Sequence, residues 1–388
     1  MRIGVAAALA ATCLLSCSSG TSVARPSPTA PPGEASNQSL LAYYGSYRTG
    51  DGDTLVIARL GWFFDMGDGT YRTIFTTHEA THFTIGRTFK EPLPKFADLV
   101  FGQGTLTISE GSRSRVGLRL RYRQTDVKIA AAGAELAGTI TEPLGNEPHP
   151  GIVIVHGAER GERYFYDVWV GVYTSMGLAV LTYDKRGIGS STGLYPGEFA
   201  SIDALKIYAD DASAALRFLS HWPGIDRSQV GFHGGSQGGW TVPLAIQRNH
   251  QAAFAVLASA PATTVDQTDL WAGFSGGGAE MPSESVDEML SSVRATHSGY
   301  DPIPALRALG VPALWLLGVN DRTVPTTVCV EILSEMHKPN FTVRLLPTGH
   351  GLLVNPTGLL ADDDRSPGLA PDLVPILRSW MAQARAST

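Results

Sequence analysis

A serine on a tight glycine turn, an aspartate and a histidine stand in that order in the 388-residue sequence, each just after an apolar run that reads as a buried strand. The serine is Ser236, in Gly234-Gly235-Ser236-Gln237-Gly238 after residues 230–233. The aspartate is Asp321, in Gly318-Val319-Asn320-Asp321-Arg322 after residues 313–317, and the histidine is His350, in Pro347-Thr348-Gly349-His350-Gly351 after residues 342–346. A serine hydroxyl is a poor nucleophile until a base takes its proton, and an imidazole serves best as that base when a carboxylate fixes its tautomer and orientation. The chemistry open to such a set is attack on a carbonyl carbon. The charge that develops on the carbonyl oxygen then needs two fixed backbone N–H donors, and the residue after the nucleophile, Gln237, is placed to offer one.

Bringing these groups together requires strands that end side by side. Beyond about residue 125, apolar runs at 152–155, 178–183, 230–233, 254–257, 313–317 and 342–346 alternate with amphipathic segments, clearest at 204–219 and 371–383. This rhythm predicts an α/β fold, a mostly parallel sheet with helices on both faces, and such sheets carry their sites at the carboxyl ends of the strands. Residues 262–309 are polar and glycine-rich, with one helical stretch near 283–296, and read as a short cap-like insert. Ala260, Ala262 and Gly273 beside it would suit a modest acyl group.

Other matches to the serine turn fail on context. Residues 189–193 follow the charged loop Asp184-Lys185-Arg186, and residues 273–277 have no buried strand before them. His337, His297 and Asp287 fall after a helix or inside the insert, and residues 362–364 read as a solvated acidic turn. His78-Glu79-Ala80-Thr81-His82 spells a zinc-protease motif, which works only on a helix, where two histidines four apart share a face. The surrounding threonines and isoleucines favour strands instead, so no metal is expected.

Together with Tyr183-Asp184-Lys185-Arg186-Gly187 and Ser236-Gln237-Gly238-Gly239, these segments resemble the α/β-hydrolase superfamily over about residues 125–383, in particular bacterial (lipoprotein) esterases and prolyl-oligopeptidase-like serine hydrolases. The resemblance implies a catalytic triad of Ser236, Asp321 and His350, and an oxyanion hole completed by Ala158 in the loop His156-Gly157-Ala158. It also implies that His156 and the Asp-Lys-Arg-Gly loop brace the site. The chain departs from the pattern after Gly157, where Ala158-Glu159-Arg160-Gly161-Glu162 replaces the family's serine, glycine and acidic residues, a difference that bears on substrate preference. The expected reaction is cleavage of a small-molecule carboxylic ester through an acyl-enzyme on Ser236, without a cofactor. A peptidase on the same scaffold, or an inactive envelope binding protein, are the alternatives.

The N-terminal third reads differently. Arg2 and the apolar run 3–15 suit a signal peptide, and Leu14-Leu15-Ser16-Cys17 resembles the bacterial lipobox, which makes Cys17 the expected lipidation site. Residues 18–38 are serine, proline, alanine and glycine, a flexible tether. Short alternating runs between glycine turns predict a small β-rich domain over residues 40–112, with a strand at 116–122 leading onward. Of three cysteines only Cys329 lies in the body, so no internal disulfide is expected, and 36 acidic against 30 basic residues give no footprint for nucleic acid. An exported bacterial envelope protein, touching the membrane only through a lipid anchor, is the expectation. Mass spectrometry of the mature protein should find an acylated Cys17 at its N-terminus; an unmodified N-terminus beyond Cys17 would contradict it.

Overall fold

The computed structural model describes residues 33–386, apart from 36, 146 and 198–200; the expected signal peptide, Cys17 and most of the tether lie outside the described residues. A short helix, α1 (Asn37–Leu40), precedes a closed antiparallel barrel of eight strands. These are β1 (Gly45–Thr49), β2 (Thr54–Ala58), β3 (Trp62–Asp65), β4 (Tyr71–Thr76), β5 (His82–Gly86), β6 (Lys95–Phe101), β7 (Thr105–Glu110) and β8 (Arg113–Arg119). Eight strands enclose an interior just wide enough for side chains to fill. Tyr47, Leu55, Ile57, Phe63, Ile74, Phe83, Ile85, Leu99, Phe101 and Leu106 fill it here.

The strand expected at 116–122 is in fact two. β8 closes the barrel against β1, the chain breaks at residues 120 and 121, where Leu120 N donates to Ser46 O (2.8 Å), and the next strand starts at Tyr122. The alternation of Leu118, Leu120 and Tyr122 with Arg119, Arg121 and Arg123 reads as one apolar and one basic face, but Leu118 is 63% exposed. The interior at this level is occupied by Tyr47, whose Cβ would lie only 2.9 Å from a Cβ at Gly117.

The second sheet has eight strands: β9 (Tyr122–Ala131), β10 (Ala134–Pro143), β11 (His149–Val155), β12 (Ala179–Tyr183), β13 (Ile225–Gly235), β14 (Ala255–Ala258), β15 (Ala313–Gly318) and β16 (Phe341–Leu346). Their order is β16-β15-β14-β13-β11-β12-β10-β9. The pairs from β12 to β16 are parallel, while the β9–β10 hairpin is antiparallel. The sequence carries no sign of that hairpin, because alternate residues of β9 face water and the buried stretch of β10 is interrupted by Gly138, Thr139, Thr141 and Glu142, so neither strand offers a continuous apolar run. The helices are α2 (Asp167–Ser175), α3 (Ile202–Ser220), α4 (Gly238–Arg248), α5 (Val265–Phe274), α6 (Val286–Ala295), α7 (Ile303–Ala308), α8 (Thr326–Glu335), α9 (Leu360–Asp363) and α10 (Leu373–Ala386). This is the α/β-hydrolase architecture behind a β-rich domain.

The two-residue period of the strands divides the core. Val153, Val155, Leu181, Phe232, Trp315 and Leu317 pack with Ala212, Leu216, Val242 and Cys329 of α3, α4 and α8. Ile152, Ile154, Val180 and Leu316 pack on the other face with Val168 and Val172 of α2 and Leu373 and Leu377 of α10. The barrel adds Val56, Ala58, Phe64 and Met66 to this second cluster. β2 is therefore buried on both sides, Leu55 and Ile57 inward and Val56 and Ala58 outward. Gly171 of α2 permits the contact, since a Cβ there would stand 2.6 Å from Val56 Cγ2. Trp315, fully buried in the strand that leads to Asp321, is the largest side chain of the sheet core. Trp315→Ala should cost about 3–5 kcal/mol in denaturant unfolding; a loss below about 1 kcal/mol would contradict this packing.

Candidate active site

Ser236 stands at the end of β13 with φ +49°, a left-handed conformation that a non-glycine residue adopts only under constraint. Its N–H donates to Ala258 O (3.0 Å) and its carbonyl accepts from Gly239 N (2.8 Å). The turn closes because its neighbours lack side chains. A Cβ at Gly234 would lie 2.7 Å from Val242 Cγ2, and one at Gly239 would lie 2.8 Å from Ala260 Cβ.

The loop after β16 brings His350 to this serine, so that Ser236 Oγ donates to His350 Nε2 (3.1 Å). His350 Nδ1, which carries the proton in the tautomer a carboxylate selects, donates to Asp321 Oδ2 (2.8 Å). The other Asp321 oxygen accepts from Thr323 N (2.7 Å) and Val324 N (2.8 Å), which fixes the carboxylate from its own loop. The insert braces that loop from outside: Trp271 Nε1 of α5 donates to Asp321 O (3.0 Å) and Ser275 Oγ to Arg322 O (3.3 Å). A general base positioned against a hydroxyl and oriented by a buried carboxylate can activate the serine for attack.

The loop after β11 runs against the nucleophile, and a Cβ at Gly157 would be 3.4 Å from Ser236 Cβ. Ala158 follows on this loop, while Gln237 is the residue before α4 and beside Ser236, so the two expected donors come from different elements. Lys185 Nζ donates to Gly157 O (2.7 Å) and Glu159 O (3.1 Å), and His156 Nε2 donates to Tyr183 O. Asp184 accepts from Arg163 N (2.9 Å) and Ser190 N (2.9 Å). The loop containing Asp184, Lys185 and Arg186 thus braces the site, as does His156.

Two carboxylates add to the field. Burial opposes the charge on Glu159, but His156, Lys185 and the Tyr166 hydroxyl together hold its carboxyl below the usual range. Burial raises the Asp363 carboxyl, partly offset by Asn355 Nδ2, which donates to it at 2.8 Å. The acidic turn at 362–364 is therefore not simply solvated, because Asp363 is buried on α9 close enough to act on His350. Neither Asp363 nor Tyr166 has a motif to mark it, and Glu159 stood out only as a departure from the family pattern.

The remaining sequence candidates go elsewhere. Ser191 Oγ donates to Asp184 O (2.7 Å) and accepts from Ala137 N (2.9 Å), a loop brace. Residues 78–81 form the turn between β4 and β5 and not a helix or strand, and His82 Nε2 pairs with Asp98 Oδ1 (2.8 Å). Among the described residues no group of three or more His, Cys, Asp or Glu is arranged to hold a metal. Cys329 is buried, which pushes its thiol up to about 11 and leaves it a core side chain. Ala260 and Ala262 are also in the core and Gly273 is exposed, so these three do not form the acyl pocket envisaged for them.

Residues 146–277 match the family model described as serine aminopeptidase, S33, which is of the α/β-hydrolase type. Over that third of its length the chain matches an α/β-hydrolase family, and its fold is of the α/β-hydrolase type. It is 28% identical over 119 residues to a 31.7 kDa protein of the traX-finO intergenic region of Escherichia coli, covering 30% of this chain and 37% of that one. It is 30% identical over 113 residues to the thiohydrolase AneE of Aspergillus aculeatus, covering 29% of this chain and 34% of that one. The chain thus spans about a third of the length of these relatives. Among solved structures, an esterase of Pyrococcus furiosus superposes with TM-score 0.49 at 14% identity, covering 68% of this chain and 91% of that one.

Burial alone would lower the His350 pKa, but the Asp321 charge and hydrogen bond, with Asp363 and Glu159, more than offset it and hold it above the ordinary 6.5. A protonated imidazole cannot take the serine proton, so activity is lost as pH falls through that raised value. The acid limb of kcat/KM should therefore lie above pH 6.5, and Asp363→Asn should move it down. A limb at or below pH 6.5 in the wild type would contradict the field described.

Proposed function

We propose that this hydrolase cleaves carboxylic esters through an acyl-enzyme on Ser236, and the observation that carries the reading is the continuous hydrogen-bonded series Ser236, His350, Asp321. His350 Nε2 takes the hydroxyl proton as Ser236 Oγ bonds to the ester carbonyl carbon. The Gln237 and Ala158 N–H groups hold the resulting oxyanion, and Asp321 stabilises the imidazolium. When the tetrahedral intermediate collapses, the carbon–oxygen bond to the alcohol breaks and His350 returns its proton to the departing alkoxide. Water, deprotonated by His350, then releases the acid and frees Ser236.

Amide cleavage asks more, because an amine leaves only when protonated and a scissile peptide must be held in register by extended contacts. The two segments available for such contacts are otherwise engaged. The barrel packs on α2 and the insert packs on the Asp321 loop, which supports an ester over an extended peptide. The serine aminopeptidase description of the matching family model supports the alternative, a peptidase on the same scaffold. Export and a lipid anchor on Cys17 remain part of the proposal.

Ser236→Ala should fold normally and lose about four or more orders of magnitude in turnover of a short acyl ester. A folded variant with near-normal turnover would overturn the assignment. In the wild type, kcat/KM on short acyl esters should exceed that on matched aminoacyl and dipeptidyl amides; comparable values would replace the esterase reading with the peptidase one.

A further inference from the structure

We propose that Arg59, a residue of the barrel, is a positioning residue for the oxyanion loop, an inference that rests on the acyl-transfer reading of Ser236. Arg59 follows β2 and lies at the face where the barrel meets α2. Its Nε and Nη2 donate to Asp167 Oδ2 (2.9 Å) and Oδ1 (2.7 Å), and its backbone N–H donates to Oδ2 as well (2.9 Å). The guanidinium also lies over the Tyr164 ring at 3.9 Å and the Tyr44 ring at 4.5 Å. A planar fork that is paired and stacked at once holds its partners in one geometry, which a lysine cannot reproduce.

What Arg59 grips is a single turn of 3-10 helix, Arg163–Tyr166, and the first residue of α2. Tyr164 and Asp167 lie on either side of Tyr166, so the barrel holds the turn both before and after that residue. Tyr166 points the other way, into the protein. Its hydroxyl donates to Glu159 Oε1 and accepts from Gly157 N (3.3 Å), and its ring meets His156 edge-on with centroids 5.0 Å apart. Gly157 and Glu159 are the two neighbours of Ala158. One phenol thus holds the backbone before the oxyanion donor and the carboxylate side chain of the residue after it, and one guanidinium from another domain holds the turn that carries the phenol. The pair is shielded, with side-chain exposures of 14% for Arg59 and 8% for Asp167, so water competes weakly for either partner.

A clamp that only joins two domains and a clamp that aims a loop make different demands. The first changes the melting temperature. The second changes the chemical step while the protein is fully folded, with the effect passing through Tyr166.

The test uses the full chain as wild type, R59A, R59K, Y166F and R59A/Y166F, assayed well below each melting temperature. Two readouts are taken: kcat and KM on p-nitrophenyl acetate, and the rate at which a fluorophosphonate labels Ser236. R59A should lower kcat about tenfold or more, with KM changed less than about twofold and phosphonylation slowed in proportion. R59K, which keeps the charge and stem, should fall in between and also serves if R59A does not fold. The double variant should lose no more than the worse single, since both act on one element. Wild-type kcat and labelling rate in R59K and R59A, whatever their melting temperatures, would overturn the proposal, as would losses that multiply in the double variant. If wild type is labelled at Ser236 without hydrolysing the ester, and labelling still slows in R59A, the ester assignment fails and the positioning role stands.

Discussion

The hydrogen bond from Ser236 to His350 spans 3.1 Å in space and 114 residues in the chain, and the catalytic half of the molecule is arranged to close that gap. Neither residue is near the other until β13, β14, β15 and β16 lie side by side in parallel. Their registers pair Gly235 with Ala258, Ala258 with Leu316, and Gly318 with Leu346, so three strand ends arrive at one edge together. A slip of one residue would turn Trp315 and Leu317 from the α8 face to the opposite one, so the burial of the core enforces the register that the site needs. The left-handed turn at Ser236 is the other half of the constraint, and its cost is carried by the close fit of Gly234 and Gly239 against α4 and Pro261.

Electrostatics follows from that placement. His350 is shielded from water, which by itself favours the neutral ring, yet three carboxylates within its field favour the charged one. The balance leaves a base stronger than a free imidazole and ready to hold a proton while the oxyanion exists. In the proposed reaction, negative charge gathered around His350 would oppose a developing oxyanion unless countered. Lys185 lies behind the oxyanion loop with its ammonium on the Gly157 and Glu159 carbonyls, where it supports the loop and offsets the Glu159 charge.

Much of this was legible in the sequence because it rests on local patterns. The glycine turn at Ser236, the buried runs of the parallel strands and the loops after them announce themselves within a few residues. The β9–β10 hairpin did not, since half of β9 faces water and the buried stretch of β10 is broken by polar residues. The extent of the barrel was obscured because the alternation in residues 116–122 runs unbroken through a strand boundary, and because it is Gly117, with no apolar side chain to mark it, that faces Tyr47 in the interior. Tyr166, Asp363 and Arg59 reach the site's surroundings only through tertiary contacts. No spacing links Arg59 to Asp167 across 108 residues. The barrel, read as a preceding domain, contributes to the same core as α2 and α10.

Every step of the proposed reaction passes the acyl group through Ser236. Its most direct measurement is mass spectrometry of protein quenched during the first turnovers of an activated short acyl ester, with the modified peptide sequenced. The account predicts a mass increase of one acyl group on the peptide containing Ser236, appearing as fast as the first burst of alcohol and decaying as the acid is released. Steady turnover with no adduct, or an adduct on any other side chain, would contradict it.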